Sequence, residues 1–360
     1  MRRNRLKNIN TVFLLGAGAS YAISLPIKGK ASEFTTPLDI TFNRRLLNMS
    51  PRARKAWIGS SIDKIKSNWI GAQKFEELGL EEAIIKRLGN YELLKAIHPI
   101  KLTGNSKTKS KCDNFQYLNH LSHLIVELLS RCKQNTRNYA ERFAKHALGS
   151  NDKREENRII TFNYDVLIDD VLLDKLKIPK NRLYFDRLKD GQDASDNRKT
   201  KDKFAHPYLL KLHGSINWRI SSQDFENIVN GNIASDDKIP IWIERDKIPD
   251  PEDDVSPLIL PPLPNKPITE TSIFRYLWQW AFEYLHEAKK LVIVGYSCPV
   301  TDSFATSMLS QMYNMNLEEV VIVDKDSSAL DKYRALMSGR IPKRTVWTFY
   351  GDFVDYIENH

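Results

Sequence analysis

Cysteine is scarce in this chain. Cys112, Cys132 and Cys298 are the three among 360 residues, an odd count with no CxxC pair and no Cys/His spacing. That pattern argues against a disulfide framework and against a structural metal site, and it fits a reducing compartment such as the cytoplasm. Long apolar runs are missing too. No stretch approaches the ~20 apolar residues that a helix needs to cross a bilayer, so no membrane association is expected. The G-x-x-x-x-G-K-[ST] phosphate loop and internal repeats are absent. Acidic residues are outnumbered: the formal net charge is +9, which favours polyanions such as nucleic acid at a basic surface. The basic residues are nevertheless spread along the chain, as on an ordinary solvated surface. A secretory leader is also disfavoured. MRRNRLKNIN before TVFLLGAGA resembles one, but only Val12–Leu15 is strongly apolar before Gly16.

Four short apolar runs rich in β-formers stand out: Thr11–Leu15, Arg158–Phe162, Leu291–Val294 and Val320–Val323. Two further candidate strands are Tyr208–Leu212, ahead of His213, and Thr345–Phe349, ahead of Gly351 and Asp352. Nearly continuous apolar runs bounded by polar or Gly turns are the pattern of strands buried on both faces of a parallel sheet. Helical stretches follow most of them. The expected fold is therefore α/β, a Rossmann-like doubly wound parallel sheet, with ligands outside the carboxyl ends of the strands. Ala72–His98 and Asn114–Ala147 carry apolar residues at helical spacing. Residues 40–150 are thus expected to be a helical insertion, a second small subdomain, with 1–39 and 151–360 forming the Rossmann-like domain. Thr103–Lys111 reads as a loop, Asp186–Lys203 as a charged irregular segment, and Pro257–Pro267 as extended but too Pro-dense for a central strand.

The polar residues that carry chemistry fall just past those runs. Gly16, Ala17, Gly18 and Ser20 follow the first, where glycine lets backbone approach a pyrophosphate and the next helix offers amides. Such a turn equally serves to pack a strand against a helix. Asn163 and Asp165 follow the second run within TFNYD; helix capping is the ordinary alternative for both. His213 ends YLLKL ahead of Gly214 and Ser215. Its titration near neutrality suits a general base, although a strand-end histidine is more often structural. His206 is a weaker candidate. Gly295 and Ser297 flank Tyr296 after LVIV, Asp324 ends VVIV where an acid commonly takes ribose hydroxyls, and Gly351 and Asp352 follow the last strand, placed to meet an adenine.

With GAGAS, TFNYD, KLHGS, GYS, VIVD and YGDF in this order, the chain resembles the sirtuin-like superfamily, and more narrowly the prokaryotic sirtuin-like NADases of anti-phage defence. The likeness covers about 1–30 and 155–360; LPP within PLILPP is also similar to the bacterial branch. Two departures stand out. The four-cysteine zinc module of deacylating sirtuins is missing, and SLPIKGK stands where they carry Pro-Asp-Phe-Arg. The resemblance implies NAD as substrate, no metal, and release of nicotinamide with ADP-ribose as product. It assigns catalysis to Asn163, Asp165 and His213. Gly16, Ala17, Gly18, Ser20, Gly295, Ser297, Asp324, Gly351 and Asp352 would hold the dinucleotide. A homo-oligomer is expected, working with a separately encoded partner such as a DNA-translocating ATPase. The alternatives are a protein deacylase or ADP-ribosyltransferase on the same fold, and a non-catalytic module that senses nucleotide or nucleic acid.

Overall fold

The computed structural model describes residues 9–25, 35–47, 121–133, 138–184, 188–190, 206–230, 241–244, 254–260, 272–299 and 302–360. The Ala72–His98 helical expectation, the 103–111 loop and most of 186–203 lie outside these residues.

Six strands form one sheet: β1 (Thr11–Leu15), β2 (Asn157–Thr161), β4 (Leu209–Lys211), β8 (Lys290–Val294), β9 (Glu319–Val323) and β10 (Val346–Tyr350), in spatial order β10-β9-β8-β1-β2-β4. Every pairing within it is parallel. Each expected strand is present, with its ends displaced by about one residue. Taken in chain order these strands lie 3-2-1-4-5-6, so the winding reverses between β1 and β8. A crevice at that reversal is where open α/β sheets bind ligands. All five residues of β1 and of β2 are buried. This is why TVFLL, which opens like a leader, is instead the centre of the sheet.

Register aligns the carboxyl ends. Leu15 lies opposite both Thr161 and Val294, Val294 opposite Val323, and Val323 opposite Tyr350. The next residues along the chain, Gly16, Phe162, Gly295, Asp324 and Gly351, consequently share one rim.

Helices cover both faces. They are α1 (Ala17–Ser24), α2 (Asp39–Leu47), α3 (residues 121–130), α4 (Tyr139–Leu148), α5 (Asn151–Glu156), α6 (Leu167–Asp174), α7 (Lys180–Leu183), α8 (Ser222–Asn230), α9 (Ser272–Glu287), α10 (Ser303–Gln311), α11 (Ser328–Leu336) and α12 (Phe353–Glu358). Although α4 falls within 40–150, it packs on the sheet. Phe143 meets Phe13 edge-on at 5.3 Å, and the buried Asn157 side chain donates to Ala147 O at 2.8 Å. Along α9, Phe274, Leu277, Ala281, Tyr284 and Leu285 make a fully buried stripe at helical spacing. Among the described residues, no helix is long and apolar enough to cross a membrane.

A second sheet was not legible in the sequence. Strands β3 (Leu188–Asp190), β6 (Ile241–Ile243), β5 (Gly214–Ser221) and β7 (Val255–Ile259) lie in that order, with β5 antiparallel to β6 and β7. Leu188–Asp190 falls inside the segment expected to be irregular. Pro257 lies within β7, which is an edge strand, where a missing N–H costs no ladder bond. The chain passes from β4 directly into β5, and His213 stands at that junction.

Candidate functional site

The rim opens into a cleft of about 690 Å³, within the roughly 300–1,000 Å³ of small-molecule and cofactor sites. Asn163, Asp165, His213, Ala17, Gly18, Gly295, Ser297, Asp324 and Asp352 all line it. Phe42 of α2, with Ile125 and Leu129 of α3, supplies an apolar wall from the stretch read as an insertion, and Leu38 just ahead of α2 extends it. Gly16, Ser20, Gly351 and His206 are not among its lining residues: Gly16 and Ser20 are buried, and His206 packs against Trp280 and Tyr284.

The two glycine turns lock to each other. A Cβ on Gly16 would stand 2.5 Å from Gly295 O and from Tyr296 Cα, and one on Gly18 would stand 2.8 Å from Gly295 Cα. Gly18 N–H donates to Gly295 O at 2.9 Å, Gly16 N–H to Val294 O at 2.9 Å, and Ala19 N–H to Gly16 O at 3.0 Å. These glycines therefore serve the close crossing of two backbones at the switch point. Several amides that the pattern offered to a phosphate are already spent. The Gly295–Pro299 turn contains two left-handed residues, Gly295 at φ 54° and Cys298 at φ 46°. Lys332 of α11 braces it by donating Nζ–H to the carbonyls of Ser297 and, at 2.9 Å, Cys298. Ser297 lines the cleft and is exposed.

Asn163 does not cap a helix. Its amide group donates to Gly16 O at 2.7 Å and Ser20 Oγ at 2.8 Å, tying the second strand's turn to the first. A carbonyl partner fixes the amide orientation, so Oδ1 is the atom Asn163 presents. Thr161 Oγ1 accepts Asn163 N–H at 3.0 Å and shapes the turn. The helix-start role falls to Asp165, whose Oδ1 accepts Leu167 N–H at 3.1 Å. Burial raises the Asp165 carboxyl pKa; nearby Lys211 and a bond from Ser20 act the other way. Lys211 Nζ reaches Asp165 O at 2.5 Å and Asp169 Oδ2 at 3.1 Å, and Asp169 also accepts from Tyr184 OH. This buried network holds β4 against α6, and so fixes the TFNYD turn.

His213 owes its place to Gly214. At φ 83°, with a would-be Cβ only 2.1 Å from Leu258 O, that position admits glycine alone. The imidazole lies among the rings of Phe162 at 5.2 Å, Trp278 at 6.1 Å and Tyr164 at 6.2 Å. Its Nε2 stands 3.3 Å from Asp302 Oδ2, and both side chains are buried. Tyr296 OH donates to the same Oδ2 at 3.1 Å. Sequence reasoning missed Asp302, because an Asp one residue ahead of a helix looks like an ordinary cap.

Asp324 and Asp352 spend one oxygen each on local turns. Asp324 Oδ1 accepts Asp326 N–H at 2.9 Å, and Asp352 Oδ1 accepts Val354 N–H at 2.7 Å at the start of α12. The second oxygen of Asp324, beside Lys325 on the cleft wall, suits vicinal hydroxyls.

Compared with known proteins, the chain matches no family model, and no curated protein matches it.

Proposed function

We propose that the protein is an NAD glycohydrolase that cleaves the nicotinamide–ribose bond and yields nicotinamide and ADP-ribose. One observation carries this reading. Asn163, Asp165 and His213, from two different strand ends, converge on a single cleft at the switch point of a 3-2-1-4-5-6 sheet. The pyrophosphate lies across the start of α1 and the Gly295–Ser297 turn, where Ala17 and the Ser297 hydroxyl supply donors. Asp324 takes the adenosine ribose, with Asp352 and Phe353 beyond it.

The reaction consumes water. The C1′–N bond breaks with its electron pair leaving on nicotinamide, water adds to the oxocarbenium-like C1′, and one proton is released. Asn163 Oδ1 accepts a hydrogen bond from the ribose or from the attacking water. His213 takes the released proton. Asp165, whose carboxyl is biased by burial towards its neutral form, meets the carboxamide. The aromatic and aliphatic walls exclude bulk water, which strengthens each polar contact. General base help is typically worth ~10²–10⁴-fold. His213→Ala is therefore expected to lower kcat by about that factor while NAD still binds. Nicotinamide release by His213→Ala at the wild-type rate would remove this role.

In a cell the activity would deplete NAD, which suits abortive anti-phage defence and requires restraint until triggered. A homo-oligomer with a separately encoded partner, such as a DNA-translocating ATPase, would supply that restraint. Analytical ultracentrifugation of the purified chain tests self-assembly, and a monomer at micromolar concentration would oppose it.

A further inference from the structure

We infer that Asp302 is a positioning residue for His213, holding the imidazole and favouring the proton it gains when the nicotinamide–ribose bond is hydrolysed. The inference rests on the NAD-cleaving reading.

Three observations converge. First, Asp302 occupies the N-cap position of α10, yet its side chain makes no capping bond there. Asp at this position normally stabilises a helix through such a bond, so the carboxylate gives up a local role. Secondly, it points the other way, its Oδ2 3.3 Å from His213 Nε2 in a pair that is buried on both sides. The contact is at ion-pair distance, so it gains most when the imidazole carries a proton. Thirdly, Tyr296 OH donates to the same oxygen, and the Tyr296 ring stacks on Phe162 at 4.1 Å, which itself packs on His213. One aromatic pair thus clamps both acid and base.

The chemistry follows from charge. Proton transfer to His213 creates an imidazolium in a site walled by aromatic rings, where an isolated charge is strongly disfavoured. An adjacent carboxylate offsets that cost only once the proton has moved. Its effect should therefore appear in kcat far more than in KM.

The test compares wild type, Asp302→Asn, Asp302→Glu, Tyr296→Phe and His213→Ala for nicotinamide release from NAD, with unfolding midpoints measured alongside. Asp302→Asn keeps the shape and loses the charge. It is expected to fold normally and to lose about 10–100-fold in kcat with KM within about twofold, less than the loss for His213→Ala. Asp302→Glu, which restores the charge in a less fitting shape, should recover part of that loss, and Tyr296→Phe should cost a few-fold. Shape-only support predicts the reverse order, Asn above Glu, and would overturn the inference. Wild-type kcat in Asp302→Asn, with His213→Ala inactive, overturns the inference while leaving the NAD-cleaving reading intact. Absence of nicotinamide release from wild type overturns both.

Discussion

Substituting Gly295 separates two reasons for a glycine that usually act together. The residue is at φ 54°, and an added Cβ would lie 2.5 Å from Ala19 N and 2.6 Å from the Cα and C of Gly18. All three are backbone atoms in the first turn of α1, directly after β1, so no flexible side chain can give way. A left-handed backbone costs an L-residue about 1–2 kcal/mol, and forcing atoms into a filled space typically about 1–3 kcal/mol more. Gly295→Ala should therefore destabilise the protein by about 2–5 kcal/mol. Gly339 supplies the control, since it is also left-handed, at φ 74°, but has no atom within 4 Å of the added Cβ. Gly339→Ala should cost about 1 kcal/mol, reduced further by the stiffer unfolded chain. Equilibrium urea unfolding of the two variants reads the difference, which amounts to a midpoint shift on the order of 1 M at an m-value near 3 kcal/mol/M. Equal losses would show that the crossing of the two turns is not the reason for glycine. On the proposed function, the same variant should weaken NAD binding, because Gly18 and Gly295 both line the cleft.

Two further outcomes follow from buried charge. Lys211 and Asp169 form a pair with side chains 1% and 2% exposed, so Lys211→Met should lower stability by about 3–5 kcal/mol by leaving a buried carboxylate with the Tyr184 hydroxyl but without its countercharge. Lys211→Met with Asp169→Leu should recover much of that in urea unfolding, and no recovery would mean that the ion pair is not the source. His146 is pushed down to about 4, first by burial and then by Lys153, His360 and Lys290. The unfolded chain takes up that proton near the ordinary value of 6.5. This stability is therefore complete above pH 6.5 and lost as pH falls towards 4. His146→Gln should flatten that acid limb of a stability–pH curve, whereas an unchanged slope would assign it to other groups.

The main sheet was legible because five of its six strands are nearly continuous, buried apolar runs ending in polar turns; β10, at the sheet edge, is only partly buried and leaves Val346 exposed. The second sheet was not. Its strands β3 and β6 are three residues long, β7 contains Pro257, and β5 buries Asn217 and Arg219 beside Trp218, so no period betrays a strand. Asn163 and His213 stood out through their places after strands, yet the amide bonds of Asn163 across to Gly16 and Ser20 join residues far apart in the chain. The partnership of His213 with Asp302 is hidden for the same reason. Likewise α4 has a helical apolar stripe with no mark of the sheet it covers, and so reads as part of the insertion.

The most direct measurement incubates the purified chain with NAD and quantifies nicotinamide and ADP-ribose by chromatography, with Asn163→Ala run in parallel. The expected result is equal amounts of both products from wild type and a loss of at least ~10²-fold in Asn163→Ala. Intact NAD with wild type at saturating binding, or equal turnover by Asn163→Ala, would contradict cleavage at this cleft.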